Sequence, residues 1–291
     1  MKYIIIILVI LLNILQIAFS QNKLLIAMDD LNTETFKDLK SKNVSELKVI
    51  YGADIYPNNP IEVDLGKLEK AIILAFPRSD QSGYGMLDWE GKGYHELIHA
   101  KGRTQDFVNI QNQFIKTIKF AKKLRPNVKW GFFEIPARER RFKSRALQLD
   151  SHERISVLLD ACDVFYPSMY GYTPEDLGSL SDVLFALELG KKFNKEVYPM
   201  VWHRFQGDTK NQTKKYWFEI IPKKMFSERI KEIRSINNNN NRINGIVWWG
   251  KDTYFYIKKN KVVRSESRNI SSFKSKYNLM VKDYVKFIQK K

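Results

Sequence analysis

Tyr84-Gly85-Met86-Leu87-Asp88-Trp89-Glu90 reads as a short apolar run that closes on two acids. Taken as a strand, its period of two puts Asp88 and Glu90 on the same face. Two carboxyl groups held side by side do not both ionise easily. One keeps its proton toward neutral pH and can serve as a general acid, while the other stays charged. That pairing is the equipment for cleaving a glycosidic bond. The plainer alternative is two solvated acids at a strand end, and the rest of the chain weighs between the two.

Short apolar runs alternate with longer amphipathic ones on both sides of this segment. Strands are predicted over Leu24–Ala27, Leu47–Tyr51, Tyr84–Asp88, Lys129–Phe133, Val164–Tyr166, Val197–Trp202 and Ile246–Trp249. Between them, helices are predicted over Thr33–Lys42 with Asn32 as cap, Val63–Ala75 after Pro60, Phe107–Leu124, Ser151–Leu159, Leu180–Phe193 and Ser227–Ser235, with Ile270–Gln289 closing the chain. In Phe107–Leu124, the residues Phe107, Ile110, Phe114, Ile118 and Ala121 recur at helical spacing. About seven strands, each followed by a helix, give an α/β fold with a parallel sheet. At this length the expectation is a TIM-like (β/α) barrel forming a single domain from residue 21 to 291, with a doubly wound open sheet as runner-up.

In barrels of this kind the chemistry sits at the C-terminal ends of the strands. Here those ends carry Asp88 and Glu90, then Glu134, Tyr166 and Tyr170, Trp202 and His203, and Trp248 and Trp249. Aromatic faces stack on the apolar faces of pyranose rings, and acids move protons, so the set suits a sugar site. Aromatics that merely fill a barrel mouth would look the same.

The chain has 291 residues, 44% hydrophobic, which is enough for a sizeable core. Met1-Lys2-Tyr3, the apolar run from Ile4 to Leu15 and Ala18-Phe19-Ser20 read as a secretory signal peptide over residues 1–20, implying a secreted or lumenal protein with no stable membrane insertion after cleavage. Cys162 is the single cysteine, so no intrachain disulfide can form; its apolar surroundings predict an inert buried thiol. Sequons stand at Asn43, Asn211 and Asn269. The formal net charge of +17 predicts attraction to polyanions such as acidic polysaccharides, anionic lipids or nucleic acid, with a lysine-rich sequence bias as the weaker reading. Lysines are spread along the whole chain and no nucleic-acid-binding motif occurs, so nucleic acid is not an expected partner. No cofactor and no metal are expected.

Four segments carry a family likeness. Gly85-Met86-Leu87-Asp88-Trp89-Glu90, then Leu124-Arg125-Pro126-Asn127 leading into Trp130-Gly131-Phe132-Phe133, then Phe165-Tyr166-Pro167-Ser168-Met169-Tyr170, and then Ile246-Val247-Trp248-Trp249-Gly250 follow one another in order. Together they resemble the hyaluronidases of glycoside hydrolase family 56. The resemblance implies an endo-acting β-N-acetylhexosaminidase with a retaining, substrate-assisted mechanism, outside the standard two-carboxylate scheme. Glu90 would protonate the leaving oxygen and later activate water. Asp88 would orient the substrate's acetamido group, whose carbonyl attacks the anomeric carbon. Tyr170 would bond near that group and Trp249 would wall the pocket, with Tyr166, Trp202 and His203 as further substrate contacts. An apolar wall and the Asp88 charge would both raise the pKa of Glu90. The chain departs from the family at Gly91-Lys92-Gly93-Tyr94, at Lys251, at Phe205 in place of a second tyrosine, and at Glu134 where an apolar residue is usual. The family's disulfides are absent. The chitinase-like family 18 also ends a strand in Asp-x-Glu, but places further acids where this chain has Met86 and Gly83.

Two other readings stand beside this one. His95-Glu96-Leu97-Ile98-His99 fits the zinc-protease pattern H-E-x-x-H. Against it, Gly91 and Gly93 disfavour a continuous helix, Gln105 occupies the third-ligand position, and His152 and His203 have no motif-like spacing. A carbohydrate-binding protein without turnover could also occupy the same scaffold.

Overall fold

A computed structural model describes residues 23–28, 30–206 and 214–289. The expected signal peptide and the sequon at Asn211 lie outside the described residues. The strands are β1 (Leu24–Ala27), β2 (Val44–Tyr51), β3 (Gly83–Asp88), β4 (Val128–Phe132), β5 (Val164–Phe165), β6 (Glu196–Val197), β7 (Met200–Trp202) and β8 (Ile246–Trp249). The chain divides into two compact units, each discontinuous in sequence: residues 46–169 with 179–200, and residues 1–45 with 170–178 and 201–291.

The first of these units is a parallel ladder clad in helices. β2 pairs with β3 from Leu47↔Tyr84 to Tyr51↔Asp88, and β3 pairs with β4 from Gly83↔Val128 to Leu87↔Phe132. A bridge from Phe133 to Tyr166 carries the pairing on to β5, which lies parallel to β6. The helix Gln105–Leu124 starts at Thr104, whose hydroxyl accepts from the Phe107 amide at 3.3 Å. It buries Phe107, Ile110, Phe114, Ile118 and Ala121, the stripe its spacing predicts.

Two predicted elements differ from the outcome. The run Val197–Trp202 is split into β6 and β7 because Pro199 has no amide hydrogen to give a ladder. The helix expected over Ser151–Leu159 is two helices, Arg145–Arg154 and Ser156–Ala161, which meet at the buried Ile155.

In the other unit β1 pairs in parallel with β8, from Leu24↔Ile246 to Ala27↔Trp249. All four residues of β1 are buried, as expected of a parallel strand covered on both faces. Asn32 caps the helix Thr33–Lys40 by accepting from the Thr35 amide at 2.8 Å. The closing helix Ile270–Gln289 lies against Lys223–Ser235 and Asp252–Ile257, burying Phe273, Tyr277, Val281, Tyr284, Val285 and Ile288. No helix among the described residues is long and apolar enough to cross a membrane.

Candidate active site

The predicted alternation holds at the end of β3. Leu87 and Trp89 are buried, Asp88 is half-buried and Glu90 reaches solvent. Trp89 fixes this arrangement. Its ring stacks between Tyr56 at 5.3 Å and Phe114 at 4.3 Å, and its indole N–H donates to the Pro60 carbonyl at 3.2 Å. With Trp89 held in the core, the neighbouring side chains project from the opposite face of the extended chain. Glu90 is still extended (φ −105°, ψ −167°) and Tyr56 Oη donates to its backbone carbonyl at 3.0 Å. Gly91 then takes φ +74°, a left-handed conformation that turns the chain into the helix Gly91–His99.

Protein crowds the Glu90 carboxyl on most sides although solvent reaches it. Loss of hydration raises its pKa, the negative charge of Glu134 adds to the rise, and Arg141 and Arg138 oppose it. Glu134, which the sequence marks only as a strand-end acid, is thus a further carboxylate that acts on Glu90. A carboxyl placed this way can hold a proton and deliver it to a bound group.

Glu134 is 1% exposed and has a left-handed backbone (φ +52°) just past β4. Its Oε1 accepts from Arg138 Nε at 2.6 Å and from Arg141 Nε at 3.0 Å, and its Oε2 accepts from Arg141 Nη2 at 2.6 Å. Burial pushes its pKa up, but Arg138 and Arg141 outweigh burial and hold it below the usual carboxylate range. In the sequence Glu134 stands out only as a strand-end acid and a departure from a family pattern. The available signal was the charge spacing Glu134-x-x-x-Arg138-x-x-Arg141, opposite charges clustered directly after a buried strand.

The other predicted contacts fall into two groups. Tyr170 stacks on Trp249 at 5.7 Å with 24° between planes, and the Trp202 ring stands edge-on to Trp249 at 5.1 Å. These three aromatics form one cluster, in which Trp249 is half-buried while Tyr170 and Trp202 are nearly covered. The buried indole N–H of Trp202 has no hydrogen-bond partner among the described residues. Tyr166 and His203, expected as substrate contacts, are instead fully buried. Tyr166 Oη points to the Gly85 carbonyl at 3.5 Å. His203 Nε2 lies 3.0 Å from Asp252, and its Nδ1 accepts from the Trp248 indole at 3.0 Å, so both ring nitrogens are used inside the core. Asp252 is held down to about 2; burial opposes this, and His203 and Arg204 overcome it. Phe205, where a second tyrosine was expected by resemblance, is buried against Tyr216.

The H-E-x-x-H segment also differs from expectation. Gly91 and Gly93 do not break the helix, which runs unbroken over Gly91–His99. Gly93 tolerates its place there because a Cβ would come within 2.6 Å of the Pro60 carbonyl oxygen. His95 and His99 share a face, their rings 4.5 Å apart, and Glu96 lies 3.8 Å from Lys92. Among the described residues no group of three or more His, Cys, Asp or Glu side chains is placed to hold a metal ion. Cys162 is buried and its thiol is pushed up to about 12 by burial, so it is a poor nucleophile.

Parallel ladders, interleaved helices and a carboxylate pair at a strand's C-terminal end define a protein of the α/β barrel class. The fold is that of bee venom hyaluronidase, with a TM-score of 0.64 over 91% of this chain and 99% of the other, at 17% identity. The same venom enzyme crystallised with a hyaluronic acid tetramer matches with a TM-score of 0.57 over 84% of this chain and 95% of the other, at 15% identity. No protein-family model matches the chain, and no curated protein sequence matches it.

Proposed function

We propose that the chain is a secreted glycoside hydrolase of hyaluronidase type that cleaves internal β-N-acetylhexosaminide bonds of a glycosaminoglycan-like polymer. The observation that carries this reading is the end of β3, where Trp89 anchors the backbone and Glu90 holds its proton above the usual range. Glu90 donates that proton to the leaving oxygen. The substrate's acetamido carbonyl attacks the anomeric carbon, and Asp88 orients the amide and offsets the positive charge that develops. Glu90, now charged, then takes a proton from water as the water opens the cyclic intermediate, and the anomeric configuration is retained. Trp249, half-buried and backed by Tyr170 and Trp202, offers a ring face on which a sugar can stack. The structurally similar venom enzyme has been crystallised with a hyaluronic acid tetramer, which makes that polymer the first substrate to try.

The test is turnover of size-defined hyaluronan by wild type, Glu90→Gln and Asp88→Asn with EDTA present, scoring new N-acetylhexosamine reducing ends. Glu90→Gln is expected to lose about 10²–10⁴-fold in rate while still binding polymer. Asp88→Asn is expected to lose about 10²–10³-fold. Wild-type rates in Glu90→Gln would sink the assignment. Binding without turnover by the wild type would favour a carbohydrate-binding protein on the same fold.

A further inference from the structure

Glu134 is a buried carboxylate whose two arginines leave the cluster with one net positive charge, and it lies in the strand-end region that carries Glu90. Three contacts link the segments that bear the two acids. The Phe133 amide donates to the Leu87 carbonyl at 3.0 Å, which carries β4 alongside β3 up to the residue before Glu134. Tyr94, in the first turn of the helix that follows Glu90, donates from Oη to the Glu134 backbone carbonyl at 3.1 Å. The Arg141 guanidinium lies 5.9 Å from the centre of the Tyr94 ring. The segments bearing the acid and the buried cluster are therefore pinned together by hydrogen bonding and by ring contact.

We infer that Glu134, locked between Arg138 and Arg141 and tied through Tyr94 and the pairing of β4 with β3 to the segment that carries the acid, is a positioning residue for Glu90 whose buried charge sets the local field there. The cluster is poised rather than simply negative. Glu134 favours the protonated form of Glu90, and Arg138 and Arg141 favour the charged form. The buried guanidinium of Arg138 is held by Glu134 at one end, while Arg141, 37% exposed, spans from the buried carboxylate to solvent. The remaining groups around Glu90 are Asp88 on its own strand, Tyr56 at its backbone carbonyl and Tyr94 on the following helix. Both tyrosines are raised above their ordinary pKa by burial and stay neutral while Glu90 titrates.

The catalytic meaning of this coupling rests on the proposed glycosidase reading, but the coupling itself does not. The experiment is carbon-13 NMR titration of the glutamate side-chain carboxyls in the full chain, with the Glu90 signal assigned by its loss in Glu90→Gln. Glu134→Gln keeps an oxygen for the arginines and removes the charge, so the Glu90 midpoint is expected to fall by about one pH unit. Arg141→Gln removes an opposing charge at an accessible position, so the midpoint is expected to rise. The alkaline limb of kcat/KM, which reports the free-enzyme acid, should move in the same two directions. Opposite shifts cannot come from general loosening of the fold, which would move both variants alike. Shifts of the same sign, or none, would overturn the inference. If Glu134→Gln does not fold, Arg141→Gln decides alone, and an unmoved midpoint overturns the inference. Opposite NMR shifts without any glycan turnover by the wild type would uphold the coupling and remove the glycosidase reading.

Discussion

Trp89 shows how a residue between two acids can matter as much to a site as the acids themselves. Its ring is enclosed by Tyr56 and Phe114, and its position leaves Asp88 and Glu90 no choice of face. Trp89→Ala should cost about 3–5 kcal/mol of stability by opening a cavity, and should lose activity out of proportion because the backbone between the acids is released. Trp89→Phe should keep the stack and lose only the bond to Pro60, about 1 kcal/mol. Denaturant midpoints paired with rates for the two variants check this; equal rates in both would disconnect the anchor from the site. The alternation that sets the two acids on one face was readable in the sequence because a period of two needs no knowledge of neighbours. What Trp89 packs against was not, since Tyr56 and Phe114 arrive from other elements. The same holds for Tyr166 and His203: a tyrosine or histidine at a strand end looks alike in sequence whether it meets solvent or, like His203, bonds to Asp252 and Trp248.

At the scale of elements, long periodic segments were legible and short ones were not. Gln105–Leu124, Leu180–Phe193 and Ile270–Gln289 carry their apolar stripes over several turns. Gly52–Ile55, Asp252–Ile257 and Lys261–Ser265 hold too few residues for a stripe to register, and are fixed by tertiary contacts instead. The helix Arg145–Arg154 carries a further consequence through His152. That ring accepts from the Ala137 amide at 2.9 Å and lies 2.6 Å from the Gln148 carbonyl through its other nitrogen, which ties the helix to the segment bearing Glu134 and Arg138. Burial pushes its pKa down to about 4. An unfolded histidine titrates near 6.5, so below that pH the unfolded chain binds the extra proton and the folded chain does not. The stability that His152 contributes is therefore full above about pH 6.5 and is lost as pH falls through about 4, to an extent of about 3 kcal/mol. Urea midpoints at pH 7, 5 and 4 should show the loss in wild type. His152→Gln can offer an oxygen to Ala137 and a donor to Gln148, and should show a flatter dependence over that window. A wild-type profile no steeper than the variant's would mean that the buried histidine does not govern acid stability.

For the whole molecule, the net charge of +17 is a property that no single contact expresses. The lysines are distributed along the chain, and many sit in exposed positions where their fields are screened by salt over about 8–10 Å at physiological ionic strength. Of the charges that act on the Glu90 proton, Glu134 and Arg138 are buried, and salt reaches them little, while Arg141 is partly exposed. The two charge populations should therefore separate in a salt titration. On the proposed reading, the distributed charge draws in an anionic polymer, so KM for hyaluronan should rise several-fold between about 50 and 500 mM sodium chloride. The rate at saturation depends on the local cluster and should change little. A neutral N-acetylhexosamine oligomer feels no such attraction, so its KM should stay flat across the same range. Steady-state kinetics on both substrates, with the pH held fixed, measure all three quantities. A parallel rise of KM for the charged and neutral substrates would mean that salt acts on the fold or on the site, and the excess charge would then have no part in substrate capture. A fall in the saturated rate alone would mean instead that the cluster around Glu90 is more open to solvent than its burial implies.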